Sequence, residues 1–475
     1  MLCCPHHTWR SMRPKLNPKQ ENVAHLIRRG HLVVLGTAGT GKSLMAIVRA
    51  ERLALELSAE PHSVLLVTFT GALKGYLSHL LRMYRQDEVD PVVDIRTYHG
   101  FARGYLGRQG VPYQPIGGHD RSRCIEAAMS ELSTGTDPVA LPDRPLEFFA
   151  GEFDWINDNA VGSIAEYLSV ERIGRRTALG RLQREAVWRL RERYQEIRDA
   201  SGYNFDWSQI ASTVRSRFAA GGSGPLYRHV IIDEGQDLSP EQLRSLVDIA
   251  DPQGSVTFFG DYAQRLYGQR MSWRASGLDL EGRRVERFRD NFRNSAPIAR
   301  LAVAVSEHPD FSGDEEELVE PGQPDATGPL PELVRCRGRG DEMNHAVRRA
   351  IEYSRTGSVT ILVHFKRQVT EILNRLRAAH GLTSISSWEQ IQGITCGTYH
   401  AAKGLEFDTV ILPFCDRFTA VDDDDNGGES RNTVELKKLY VGVTRARRNL
   451  VMTYSDAARP SLLPARPDLY EPRRR

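Results

Sequence analysis

Residues 36–43 read Gly36-Thr37-Ala38-Gly39-Thr40-Gly41-Lys42-Ser43, directly after the apolar run His31–Leu35 and before a segment of helical period, Leu44–Leu57. Residues without a Cβ let the chain turn so that successive backbone N–H groups point inward at a polyphosphate, and the following helix adds the positive end of its dipole. This spacing, between a strand and a helix, is that of a phosphate-cradling loop. In that setting Lys42 reaches the β- and γ-phosphates of ATP and Ser43 ligates Mg²⁺. Such a loop needs a carboxylate at the end of a neighbouring strand, and the run His229–Ile232 ends in Asp233-Glu234-Gly235-Gln236-Asp237. Asp233 is the candidate metal ligand and Glu234 the candidate general base for the attacking water.

Positioning these groups requires a sheet. Apolar runs bounded by turn residues recur at His31–Leu35, Val64–Thr68, His229–Ile232, Val256–Phe259, Val359–Phe365, Thr409–Phe414 and Leu450–Tyr454, and read as strands. Helical stretches such as Leu44–Leu57 and Pro240–Ile249 alternate with them, the pattern of an α/β fold with a largely parallel sheet. Residues 104–205 break the alternation with amphipathic segments such as Ala178–Arg198 and no clear strand, which predicts an inserted helical subdomain. Its Arg-rich stretches at 172–176 and 181–193 either track a phosphate backbone or form a solvated face with the interleaved Glu185, Glu192 and Glu196. Pro309–Pro331 and Asp422–Asp425 are expected loops.

Composition narrows the setting more than the ligand. Lys and Arg number 63 against 61 acidic residues over 475 positions, so the net charge of +2 leaves partners open; a nucleic-acid binder can confine its basic groups to one channel. The six cysteines have no repeated spacing, and the first twenty residues lack the apolar stretch of a secretory signal, so a reducing, cytoplasmic location is expected. No apolar run reaches the ~18 residues of a membrane span. Cys3-Cys4 with His6-His7 lacks the usual metal-site spacing and is expected to be a disordered start. His119, His229 and His345 stand alone, and the tail Pro472–Arg475 is expected to fray.

Further segments extend the pattern in order. Leu16-Asn17-Pro18-Lys19-Gln20, Val67-Thr68-Phe69-Thr70, Thr97-Tyr98-His99-Gly100-Phe101, Gly260–Tyr267, Asp290-Asn291-Phe292-Arg293-Asn294, Thr398–Asp408 and Leu439–Arg447 join the two motifs above. Together they resemble the superfamily 1 helicases of the UvrD/Rep type. The resemblance implies that Gln20 reads the adenine edge, that Gln236 links the nucleotide site to the DNA side, and that Gln264 senses the γ-phosphate. It implies that Phe292 stacks on the base, that Arg293 and Arg445 contact the γ-phosphate, Arg445 as an arginine finger, and that Glu406 lies beside the sugar. A guanidinium suits that task because negative charge spreads over the transferring phosphoryl oxygens. Phe69, Tyr98, His99, Thr398 and His400 fall to the single strand, Phe69 and Tyr98 as stacking or backbone contacts.

The same resemblance implies two RecA-like lobes with parallel sheets. The first, 1A, covers residues 1–103 and 206–290, a helical insertion 1B covers 104–205, and the second lobe, 2A, covers 291–475. The expected activity is ATP-dependent translocation on single-stranded DNA and 3′ to 5′ unwinding of tailed duplex DNA. The alternative from another class is an ATPase subunit that senses nucleic acid and regulates or loads a protein partner such as a nuclease; an RNA-directed motor also fits. Three departures from the family pattern bear on this. Gln269 stands where the family places an aromatic, Gly71-Ala72-Leu73-Lys74 replaces its usual continuation after Phe69, and the hundred or so residues between Arg293 and Thr398 leave no room for a large 2B insertion.

Overall fold

The computed structural model describes residues 16–25, 30–56, 63–84, 93–134, 139–175, 177–221, 226–261, 276–278, 285–311, 324, 326–380, 393–420 and 430–474. Among them the strands form two six-stranded sheets. The first comprises β1 (Leu32–Gly36), β2 (Val64–Thr68), β3 (Val93–Thr97), β4 (Tyr227–Ile232), β5 (Ala250–Gly260) and β6 (Val285–Phe288), in the order β3-β2-β4-β5-β1-β6. The second comprises β7 (Glu332–Arg335), β8 (Val359–Val363), β9 (Ile394–Thr398), β10 (Phe407–Leu412), β11 (Ala446–Tyr454) and β12 (Glu471–Arg474), in the order β12-β7-β11-β10-β8-β9. Every pairing in both sheets is parallel. The fold is therefore α/β, with two RecA-like lobes.

The apolar runs follow from burial on both faces. In β1, Val33 and Leu35 join the core beneath the helices Tyr98–Arg108, Ile210–Ala220 and Pro240–Asp248, whereas Leu32 and Val34 join the core beneath Lys42–Glu56 and Gly71–Tyr84. Alternate side chains thus enter opposite cores, and each fully buried aliphatic contributes about 1.5–3 kcal/mol. The second sheet repeats the plan. Val410 and Leu412 face the helices Ala296–Ser306 and Arg431–Thr444, while Val359, Ile361 and Ile411 face Arg339–Tyr353 and Lys366–His380.

Between β3 and β4 the described chain is helical, apart from a single bridge between Pro115 and Phe205. Gly118–Thr134, Leu146–Asp158, Ile164–Ser169 and Arg181–Ala200 enclose a separate core around Phe148, Phe149, Phe153, Trp155 and Tyr194. Its arginines are engaged at home. Fully buried Glu152 takes Arg172 at 2.6 Å and Arg175 at 2.8 Å, Arg181 meets Glu185 at 3.1 Å, and Arg193 meets Glu131 and Glu196. Arg181 and Arg193 thus pair at the surface with Glu185 and Glu196, as a solvated face would, whereas Arg172 and Arg175 are buried against Glu152 and fit neither a solvated face nor a phosphate track.

One expectation about the second lobe fails. Glu471–Arg474 does not fray but adds β12 to the edge of the sheet, with Glu471 opposite Glu332 and Arg474 opposite Arg335. Cys3, Cys4, Asp422–Asp425 and most of the loop after residue 311 lie outside the described residues.

Candidate functional site

β1 ends at Gly36, and the chain turns through Gly39 at φ +82° before the helix Lys42–Glu56 begins. A Cβ on Gly39 would collide with Asn291 Oδ1 and Arg293 Cβ, so only glycine lets the second-lobe segment close over the loop. Thr40 Oγ1 donates to Thr37 O at 3.0 Å, tightening the turn. Thr37, Ala38 and Thr40 are buried beneath it. Gln20 Nε2 donates to Thr40 O at 3.0 Å and Gln20 Oε1 accepts from Asn17 N at 2.8 Å, which pins this buried amide beside Gly41. Lys42 Nζ donates to Gly36 O and Thr37 O, both at 2.8 Å, and lies 3.7 Å from Asp261. Burial lowers its pKa, against the opposing charges of Asp261 and Glu234.

β4 runs alongside β5 and β2 and delivers the acidic pair to the same edge. Ser43 Oγ donates to Asp233 Oδ2 at 2.8 Å, while Asp233 Oδ1 is buried without a hydrogen-bond partner. Burial, then the neighbouring Glu234 charge, push the Asp233 pKa up. A hydroxyl beside a buried carboxylate oxygen with no donor is an oxygen set suited to Mg²⁺, which would satisfy both. Glu234 adopts φ +57°, a left-handed conformation that costs about 1–3 kcal/mol in a residue other than glycine and marks functional sites. Burial works to raise its pKa, but Lys42, Lys403 and Arg445 outweigh that and hold the carboxylate below its ordinary value. Gln236 Nε2 donates to Glu234 Oε2 at 2.5 Å, and Gln236 Oε1 accepts from Asp261 N at 3.0 Å.

The opposite wall comes from the second lobe. Phe292 N donates to Gly39 O at 3.0 Å, while the Phe292 ring remains 61% exposed over the opening. Arg293 Nε donates to Glu406 Oε2 at 2.6 Å, and together with Arg447 and Arg445 overcomes the burial that would raise the Glu406 pKa. Lys42, Ser43, Glu234, Phe292, Arg293 and Glu406 line one cleft of about 350 Å³. Arg445 stands behind that lining, its guanidinium donating to Val441 O, Leu405 O and Thr444 Oγ1 at 3.2 Å each. Burial pulls its pKa to about 10, still high enough to keep it charged near neutrality.

Two contacts lock the lobes together beside the cleft. Lys403 Nζ, 1% exposed, pairs with Asp237 Oδ1, whose side chain is 0% exposed. Gly404, at φ +73°, lies so close to Leu73 that a Cβ there would strike the leucine side chain.

The residues expected to face a strand are less uniform. Phe69, Thr398 and His400 are half-buried at the C-terminal ends of β2 and β9. His99 is half-buried and meets the Trp207 ring edge-on at 5.1 Å. Tyr98 departs from expectation. It is 1% exposed, its hydroxyl shares a 2.7 Å hydrogen bond with Ser245 Oγ, and its ring belongs to the first lobe's core, so it presents no face to a strand in this conformation. Gln264 lies outside the described residues.

Three residues escaped the reading of the chain. Lys403 is a charge inside an otherwise apolar or small run, Ala401-Ala402-Lys403-Gly404-Leu405, and that isolation was its signal; the structure buries it to 1% exposure. Arg447 lines the cleft two positions beyond Arg445 and carried no distinguishing signal. Asn291 Oδ1 accepts from both Arg293 N at 3.0 Å and Asn294 N at 3.1 Å, the side-chain capping of a turn that an Asn ahead of two polar residues foreshadows.

Comparison with known proteins agrees with this arrangement. The UvrD/REP helicase N-terminal domain matches residues 16–276, and the UvrD-like helicase C-terminal domain matches residues 366–457. DNA helicase II of Escherichia coli (strain K12) is 22% identical over 322 residues, covering 62% of this chain and 40% of that protein. ATP-dependent DNA helicase UvrD2 of Mycobacterium tuberculosis is 27% identical over 305 residues, covering 60% of this chain and 42% of its own length. The chain thus spans less than half the length of these relatives. In the described residues no helix is long and apolar enough to cross a membrane. With the phosphate loop, the acidic pair and the second-lobe arginines around one cleft, and more than half of the sequence matched by the N-terminal domain alone, this chain belongs to the UvrD/REP helicase family.

Proposed function

We propose that this chain hydrolyses ATP to ADP and phosphate in the cleft between its lobes and uses the resulting closure to move along single-stranded DNA in the 3′ to 5′ direction, opening tailed duplexes. The observation that carries the reading is the composition of the cleft: a phosphate loop and Glu234 on one side, with Asp233 bonded to Ser43 behind them, and Arg293, Glu406 and Arg447 on the other. The names of the relatives, both DNA helicases, support the choice of DNA.

The chain's own residues supply the chemistry. Lys42 leaves the Gly36 and Thr37 carbonyls for the β- and γ-phosphates, and the loop's backbone amides hold the rest of the chain of phosphates. Glu234, kept ionised by the surrounding cations, accepts a proton from the attacking water. Ser43 and Asp233 would hold Mg²⁺, whose charge offsets that of the phosphates. Arg293 and Arg445 donate to the oxygens that gain charge as the phosphoryl group transfers. Phe292 offers its exposed ring to adenine, Gln20 the amide beside it, and Glu406 faces the sugar.

Glu234→Gln keeps the shape of the site and removes the base. ATPase turnover should fall at least 100-fold with nucleotide affinity retained. Turnover of the unaltered chain should rise when single-stranded DNA is added, and 3′-tailed duplexes should separate where 5′-tailed ones do not. ATPase activity indifferent to single strands would sink the motor reading. Stimulation without strand separation would instead favour a subunit that loads or regulates a partner such as a nuclease.

A further inference from the structure

Of the described tryptophans, Trp155 and Trp188 are 2% and 7% exposed, as large aromatics in a core should be, yet Trp207 is 49% exposed. It sits in the short turn Trp207–Gln209, where the helical subdomain returns to the first lobe. Nothing about the turn is loose. Asp206, 2% exposed, accepts from Tyr194 Oη at 2.5 Å and forms an ion pair with Arg121, whose Nε lies 3.0 Å away, and Asp206 N donates to Gln209 Oε1 at 3.0 Å. On the other side Ser208 Oγ donates to Asp154 Oδ1 at 2.7 Å and accepts from Asn157 Nδ2 at 3.0 Å. The residues before and after the ring are therefore anchored in the subdomain's polar network, and the indole is held out from it.

Its aromatic neighbours brace it without covering it. His99 approaches at 5.1 Å and 82°, and Tyr113 at 6.4 Å and 75°, so both rings stand nearly perpendicular to the indole and neither lies parallel on its face. Tyr113 in turn rests edge-on against buried Phe205 at 5.6 Å and carries the exposed Arg103 guanidinium 5.9 Å from its centroid. A rigid, half-exposed indole with a cation one ring away suits a nucleobase that needs a parallel aromatic surface and brings a phosphate with it. A protein partner would be expected to meet a wider apolar patch, but among the described residues neither the rest of the turn nor the rings that brace Trp207 include another exposed large hydrophobic.

We infer that Trp207, braced by His99 and Tyr113, is a base-stacking post for single-stranded DNA at the junction of the first lobe and the helical subdomain, with Arg103 meeting the adjacent phosphate. The inference rests on the strand-motor reading and adds to it a contact that supplies stacking on a chain carrying Gln269 where an aromatic was expected. Preorganisation is what makes the post effective, because little conformational freedom is left to lose when a base arrives.

The test measures binding of labelled oligothymidylate, and of the same oligonucleotide with a run of abasic sites, to the full chain. Trp207→Ala should weaken binding of oligothymidylate about 5- to 100-fold while changing affinity for the abasic stretch less than twofold. Trp207→Phe keeps a ring and should stay within about threefold of the unaltered chain on both, but lose most of the intrinsic fluorescence quench that oligothymidylate produces. Retained abasic binding also shows that the alanine variant is folded. Equal losses on both oligonucleotides, or oligothymidylate affinity in Trp207→Ala within twofold of the unaltered chain, would overturn the assignment. If the unaltered chain binds neither oligonucleotide, the motor reading itself fails, a separate result from an unimportant Trp207.

Discussion

Lys403→Met isolates the most buried charge pair between the lobes. It leaves Asp237 with a side chain that is 0% exposed and without the ammonium that balances it. Breaking a buried ion pair from one side costs about 3–5 kcal/mol, mostly for the stranded charge. Because Asp237 follows β4 and Lys403 follows β9, the strain can be relieved in two ways. If the lobes part, the equilibrium between joined and separated arrangements shifts roughly 150- to 5000-fold toward separation. If they stay joined, the loss appears in unfolding, and at about 2–4 °C per kcal/mol for a domain of this size the melting temperature falls by roughly 6–20 °C. Calorimetry together with energy transfer between fluorophores on the two lobes reads both routes. Asp237→Asn combined with Lys403→Met should recover most of the loss, since neither member of the pair then carries a charge. A single variant that melts within about 2 °C of the parent at an unchanged interlobe distance would refute the reasoning. Lys403 also helps hold the Glu234 pKa down, so its removal should move the acidic limb of the ATPase profile to higher pH.

Other outcomes follow from the same geometry. Arg447→Ala should raise KM for ATP about tenfold, equivalent to about 1.4 kcal/mol, with kcat little changed, because this exposed guanidinium lines the cleft without reaching the acidic pair; steady-state kinetics would show it. Arg445→Ala should leave nucleotide binding within a few-fold and stop turnover, measured by equilibrium binding beside ATPase rate, and undiminished hydrolysis would remove the arginine from the proposed reaction. Stability should depend on two histidines. Burial, aided by Arg49 near His229 and Lys438 near His400, holds both imidazoles down to about 4. A folded pKa below the unfolded value of about 6.5 means the neutral form is favoured in the native state. That stability is complete above about 6.5 and drains as pH falls toward 4, so melting temperatures recorded across this window should decline, and less steeply in His229→Gln.

The parts of the fold that were legible in the sequence are those buried on both faces. The expected strands all fall in the interior of one sheet or the other, where Val, Leu, Ile and Phe run together. Four of the five strands that were not expected, β3, β6, β9 and β12, are sheet edges. There, half-exposed segments such as Val93-Asp94-Ile95-Arg96-Thr97 and Val285-Glu286-Arg287-Phe288 mix charge into short runs and lose the apolar signature. The fifth, β7, is interior but only four residues long and carries Glu332 and Arg335. The phosphate loop was legible because its glycines answer to a steric requirement that few other segments share. The stacking alternative for Tyr98 was not separable in sequence for the opposite reason: an aromatic beside a binding motif looks the same whether its ring faces a ligand or, through a hydroxyl bonded to Ser245, the core.

The placement of glycine and charge across the cleft also explains why the lobes meet where they do. Gly39 admits Asn291 and Arg293, and Gly404 admits Leu73, so each lobe presents a point without a Cβ at which the other packs directly against its backbone. Between these points lie Lys403 with Asp237 and Arg293 with Glu406, one pair joining the lobes and one orienting a guanidinium toward the phosphate loop. Close apolar contact resists separation over a short range only, because dispersion falls away within an ångström or so. Charge acts further, and in this cleft four basic groups, Lys42, Arg293, Lys403 and Arg445, bear on the acidic pair or on one another. Adding the charge of a polyphosphate to that set relieves repulsion among the cations, and losing a phosphate restores it. In the proposed cycle the nucleotide thus sets the balance between two arrangements that the glycine contacts make discrete, which is the condition for a ligand to drive a two-state movement rather than a graded one.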